Sequence, residues 1–282
     1  MKNSLTALLI GLFALSAVDA YSEPVSFKLR RTLLDKNTIE KPAQFQLTWP
    51  DNGDASYTVD AGINVSFSAA LNGDTLWEPI AAVEYHRNNQ IAKEQNTIIG
   101  SLSLLGVIGD ISTSDTAWLP QFTIKYKSDE VRNSKSFVGT ADISLVNKTL
   151  PIGKIFGSDD IGFIWQPRAG LEYENIFDAN SGSNTGNILR GTGSLEFAVY
   201  PARKALDQRL ELAASYQYWN DLSRSSALNN GDTGHTLFRC SAKYFLNQNR
   251  NYAIALEHLD GENPVENLVK QRYNQFAFQV MF

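Results

Sequence analysis

The residues best suited to chemistry are charged groups that recur at even spacing between apolar neighbours. Arg168 and Glu172, Arg190 and Glu196, Arg209 and Glu211, and Arg239 and Lys243 each share one side of an alternating pattern, followed by Glu257. Asp60, Glu84, Lys125 and Asp142 extend the same set toward the N-terminus. If the segments lie side by side as strands, opposite charges face one another across the ladder. Such a wall can line a polar path that selects a small charged or zwitterionic solute. The same charges can instead pair and fill a closed interior, since buried charges are tolerated only when paired. Their balanced signs favour neither an anion nor a cation channel, and both readings stay open.

Hydrolytic chemistry would call on a histidine base with a serine, aspartate or calcium partner. The chain has three histidines, His86, His235 and His258. The same-face candidates beside His258 are Thr236, Lys270 and Arg272, which make no serine triad. Gly191-Thr192-Gly193-Ser194 lacks the strand-turn-helix setting of a nucleophile elbow. No catalytic residue is assigned, no metal-ligand spacing is present and no cofactor is expected. An enzyme is the lesser reading.

The elements that must carry these charges are strands. From Tyr57 to Ala69, Tyr57, Val59, Ala61, Ile63, Val65, Phe67 and Ala69 occupy one face, with Thr58, Asp60, Gly62, Asn64, Ser66 and Ser68 on the other. This alternation is about twice the usual strand length of ~5 to 6 residues and matches the ~9 to 11 that a tilted membrane strand needs. The same grammar repeats to the C-terminus, with turn-forming polar stretches between, and no helical period competes. Trp49, Trp77, Trp118, Trp165, Tyr173, Tyr218 and Tyr244 fall near strand ends, as two interfacial girdles require. Met1 to Ala20 has Lys2, an apolar run and Val18-Asp19-Ala20, which predicts a signal peptide cleaved before Tyr21. Its apolar run is shorter than the ~20 residues of a membrane-spanning helix. The lone Cys240 excludes an intrachain disulfide, and a net charge of -5 speaks against nucleic acid as partner.

The last residues, Tyr273-Asn274-Gln275-Phe276-Ala277-Phe278-Gln279-Val280-Met281-Phe282, alternate to a terminal aromatic. This pattern resembles the closing strand of Gram-negative outer-membrane β-barrels. The resemblance implies outer-membrane lipid around the chain and recognition of this strand by the barrel-assembly machinery. Bacterial single-chain barrels use even strand numbers, with short periplasmic turns and long outer loops. Twelve strand candidates follow residue 42. Counting back from a periplasmic C-terminus puts the stretches 178–187, 220–234 and 260–267 outside, with all three histidines near the outer rim. The expected architecture is an all-β transmembrane antiparallel up-and-down barrel of about 12 strands over residues 42–282. Residues 21–41 are expected to be a periplasmic segment, an inward plug or an edge extension. Twelve strands make a narrow tube compared with the ~16 to 18 of wide porins. The leading functional expectation is a narrow channel or passive transporter for small polar or charged solutes. A surface lipid or peptide hydrolase, or an adhesive barrel acting through its loops, is the alternative.

Overall fold

A computed structural model describes residues 26–30, 43–48, 56–66, 69–70, 75–89, 94–109, 114–150, 152–179, 185–228, 232–263 and 268–280. The expected signal peptide and Phe282 lie outside them. The chain runs through β1 (Ser26–Arg30), β2 (Ala43–Thr48), β3 (Ser56–Ser66), β4 (Ala69–Ala70), β5 (Thr75–Asn88), β6 (Gln95–Ile108), β7 (Thr116–Asp129) and β8 (Ser134–Asn147). It continues through β9 (Phe156–Gly157), β10 (Ile161–Asp178), β11 (Gly186–Pro201), β12 (Leu210–Arg224), β13 (Gly234–Phe245), β14 (Tyr252–Asn263) and β15 (Leu268–Val280). Every named pairing is antiparallel, and long strands pair with their sequence neighbours.

The sheet closes on itself. β15 pairs with β2, β2 with β3, and β3 with β5, so the path from β5 round to β15 returns to its start. Twelve strands form the ring, with β4 and β9 as short additions along β5 and β10. β1 adds a second piece to the same edge of β3 that β2 occupies. Arg30 pairs with Gly62 and Gln44 with Asp60, so the two pieces follow one another along a single ladder. Of residues 21–41, only this strand piece is described. Closure explains why strands this long are stable: each strand of the ring has a hydrogen-bonded neighbour on both sides, with a short seam where β15 meets β2.

The two faces of the sheet have opposite solvents. Ile63, Leu102, Ile124, Leu171, Leu256 and Phe276 point outward and are at least half exposed. Their neighbours in sequence point inward, where Glu84, Thr123, Lys125, Glu172, Glu196 and Glu211 are buried. A water-soluble protein with this much apolar outer wall would aggregate. The wall is that of a membrane-spanning barrel, apolar outside and polar within. Tyr126, Phe137 and Phe177 pack together toward one end of the outer wall, with ring centroids 5.2 to 6.2 Å apart. Phe156 with Phe163, and Tyr252 with Phe278, do so toward the end that carries Val280.

One expectation is corrected. The polar stretches read as long outer loops are shorter than expected: β11 begins at Gly186, β12 reaches Arg224 and β14 reaches Asn263. Only 179–185, 225–233 and 264–267 remain between strands there, while the longest link, 148–160, lies at the opposite end beside Val280. Polar residues continue the ladder past the apolar belt because backbone pairing, not side-chain polarity, decides where a strand ends. Loop length therefore does not mark the outer side of this barrel.

Substituting Ile124, which is 65% exposed on the outer wall, tests the membrane reading. Ile124→Arg is expected to weaken refolding into phospholipid vesicles by about 2–4 kcal/mol, measured by denaturant titration, whereas Lys204→Arg at the exposed rim leaves the midpoint unchanged.

Candidate functional site

Alternation delivers most of the expected charges to the barrel interior, and closure brings together residues far apart in sequence. Toward the rim opposite Val280, the Arg190 guanidinium is buried between three carboxylates. Its Nη1 donates to Glu172 at 2.5 Å and Glu174 at 2.8 Å, and its Nε to Asp221 at 3.0 Å. Lys127 reaches the same Glu174 at 2.7 Å, Ser136 donates to it at 2.9 Å, and Arg224 donates to Asp221. Five strands, β7, β8, β10, β11 and β12, are thus tied across the interior.

A second cluster lies near the Val280 rim. Glu211 is fully buried and accepts from Lys243 at 2.9 Å, Arg250 at 2.6 Å and the Tyr200 hydroxyl at 3.1 Å. Arg250 comes from the link after β13, where its positive φ of 58° turns the side chain back beneath the barrel, over the Phe245 ring at 4.1 Å. Burial disfavours its charge, yet the Glu211 carboxylate and Tyr200 outweigh that, and its pKa stands above the ordinary arginine value. Ile164, Ala198 and Tyr200 pack as an apolar layer at this level.

Between the clusters the groups are more loosely held. Arg168 donates to Gln121 at 3.0 Å, and Thr192 approaches Asp142 at 3.5 Å. Gly170 sits between Asp142 and Thr192 on the ladder, and a Cβ there would collide with the Asp142 carboxylate. Glu257 accepts from Gln275 at 2.8 Å and Gln279 at 2.7 Å. Lys125, Glu196 and Arg239 also point inward, Lys125 and Glu196 buried and Arg239 half-buried. Asp60 pairs along the backbone with Gln44 and His86.

Arg209 departs from the interior set. It lies in the turn before β12, after Asp207 and Gln208 with positive φ, and its guanidinium stands 5.7 Å from the outward Tyr244 ring. A parity count through a turn cannot hold, because those two residues break the extended backbone. The histidines also separate. His86 is buried and inward, 3.1 Å from Glu84. His235 lies near the rim opposite Val280, its Nδ1 3.0 Å from Glu262 and its Nε2 3.9 Å from Asp221. His258 is at mid-strand on the outer wall rather than at the rim, with Nδ1 2.7 Å from the Asn274 Oδ1. Among the described residues, no group of His, Cys, Asp and Glu could hold a metal ion.

Several central members escaped sequence reasoning: Lys127, Glu174, Asp221, Tyr200 and Arg250. Continuing the two-residue period past Lys125 and Glu172 would have reached Lys127 and Glu174. Asp221 was hidden by its place in an expected loop. Nothing local marks Arg250, which acts from a turn.

No protein-family model and no curated protein sequence matches the chain. Among solved structures, it is similar to the translocator domain of the autotransporter NalP from Neisseria meningitidis, at 12% identity and a TM-score of 0.40, over 99% of this chain and 95% of that one. It is also similar to the NanC porin in a rhombohedral crystal form, at 9% identity and a TM-score of 0.41, over 90% of this chain and 99% of that one. A membrane-protein structure from a study of in-meso crystallization matches at 6% identity and a TM-score of 0.42, over 91% and 83% of the two chains.

Arg190→Ala would leave three buried carboxylates around an empty place. It is expected to lower barrel stability by about 3–5 kcal/mol, read from urea unfolding in detergent micelles, with Arg190→Lys losing clearly less.

Proposed function

We propose that this chain resides in the bacterial outer membrane and serves as a narrow channel or passive transporter for small polar or charged solutes. One observation carries the reading: the interior wall is largely charged and polar, with ion-paired clusters toward both ends. Paired charges of both signs suit a path that admits small solutes with their own hydrogen-bonding groups and rejects bulk flow. The apolar belt and the closing strand support placement in a membrane.

Surface catalysis has less support. The contacts of His235 and His258 are to Asp221, Glu262, Asn274 and Phe238, none of which is a hydroxyl or thiol nucleophile. An adhesive role would have to use the links 179–185, 225–233 and 264–267, each shorter than the link 148–160 at the opposite end.

Planar-bilayer recording tests the proposal. The unmodified barrel is expected to show small, discrete conductance steps in potassium chloride. Glu211→Ala combined with Lys243→Ala and Arg250→Ala removes all charges of the Val280-rim cluster together and is expected to raise the step size severalfold. Silent bilayers for both proteins, each confirmed folded by circular dichroism, would reject solute passage.

A further inference from the structure

The ring strands β8 and β10 to β13 each carry inward residues that keep partial exposure, set between buried ones. On β10, Arg168 and Gly170 are half-exposed between buried Gln166 and Glu172; on β11, Thr192 and Ser194 between buried Arg190 and Glu196. On β13, Arg239 and Ser241 lie between buried Leu237 and Lys243. These positions descend along the ladder from Asp142 on β8 through Ser215 on β12 to Ser241 on β13. In a barrel of tilted strands, such a diagonal keeps to one height. The band is therefore a water-accessible hollow in the barrel wall. Trp219, Leu237 and Leu259 pack above it, and the Glu211, Lys243 and Arg250 cluster closes it below.

The hollow has a distinct chemistry. Thr192, Ser194, Ser215 and Ser241 are small and offer hydroxyl groups. Arg239 supplies a positive charge at one end of the band, with Arg168 and Asp142 toward the other. Its ladder partners are Ser215 and Leu259, its Nε is buried without a hydrogen-bond partner, and no carboxylate lies within ion-pair distance among the described residues. Lys127, Arg190, Lys243 and Arg250, by contrast, are all paired with carboxylates. A guanidinium that is partly desolvated and unpaired gives up hydration without return. Its fork of donors matches a carboxylate.

We propose that this mid-barrel hollow is a binding site for a small hydroxylated carboxylate, its carboxylate on Arg239 and its hydroxyl groups on Ser194 and Ser215. Asp142, at the other end of the band, disfavours a second anionic group and selects monoanions. The proposal deepens the solute-passage reading and rests on it for its physiological meaning, but binding is measured separately from conduction.

Saturation-transfer NMR on the detergent-solubilised full barrel, with glycerate, propionate and glycerol as probes, tests the site. Glycerate is expected to bind more tightly than propionate, and uncharged glycerol to give no transfer. Arg239→Gln is expected to weaken glycerate binding by at least about tenfold, with Arg239→Lys retaining part of it and Lys204→Gln none of the loss. Thermal unfolding checks that each variant is folded. Should Arg239→Gln fail to fold, Ser194→Val with Ser215→Val replaces it, and is expected to abolish the preference for glycerate over propionate. Undiminished glycerate binding in folded Arg239→Gln, or an unaltered preference in the double variant, overturns the site. A conducting wild-type barrel that binds no glycerate overturns it alone. Glycerate binding in a barrel that does not conduct upholds the site while rejecting passage.

Discussion

Ring closure is the constraint on which everything else depends. Within a membrane, an unpaired backbone amide or carbonyl has no water to turn to, and leaving it unsatisfied is costly. The chain answers by giving nearly every strand two antiparallel neighbours. The weakest place in that solution is where first and last strands meet. β15 and β2 share three ladder positions, Phe278 with Phe45, Gln279 with Gln44 and Val280 with Ala43, whereas β10 and β11 pair along almost their full length. β3 compensates by binding β1, β2 and β5. The barrel is thus firmly tied through its middle and joined by a short seam.

Once the ring is closed, side-chain alternation needs no further instruction. One face meets lipid and the other meets the interior, so a two-residue period in sequence becomes a radial sorting of polarity in space. For that reason most of the architecture was legible before any coordinates: the strands, their inward and outward faces, the number in the ring and the inward placement of Glu84, Glu172, Arg190, Glu211 and Lys243 all follow from parity. What failed did so where parity itself breaks. Asp207 and Gln208 turn Arg209 out of the interior, and Arg250 enters it from a link. The extents of β12 and β14 were misjudged because Asn, Asp and Glu in those stretches satisfy backbone ladders as well as turns. Which carboxylate meets which cation was illegible for another reason. It depends on stagger between strands, and a single sequence carries alternation but not register.

The interior shows why pairing alone does not account for the charges. Surrounding Arg190 with Glu172, Glu174 and Asp221 offsets a desolvation cost that apolar residues of similar volume would never incur, and such replacements in proteins are often neutral or stabilising. The chain does use apolar interior packing where it suits, as at Ile164, Ala198 and Tyr200 or Trp219, Leu237 and Leu259. A barrel that needed only to be filled could extend those layers. Instead, ionic clusters lie toward both rims, and a hydroxyl-rich hollow with an unpaired Arg239 lies between them. Paired charges can separate and re-form around a hydrated solute in a way that a close-packed apolar plug cannot. The retained polarity is thus not required by stability alone, and it is what the proposed passage of solutes would use.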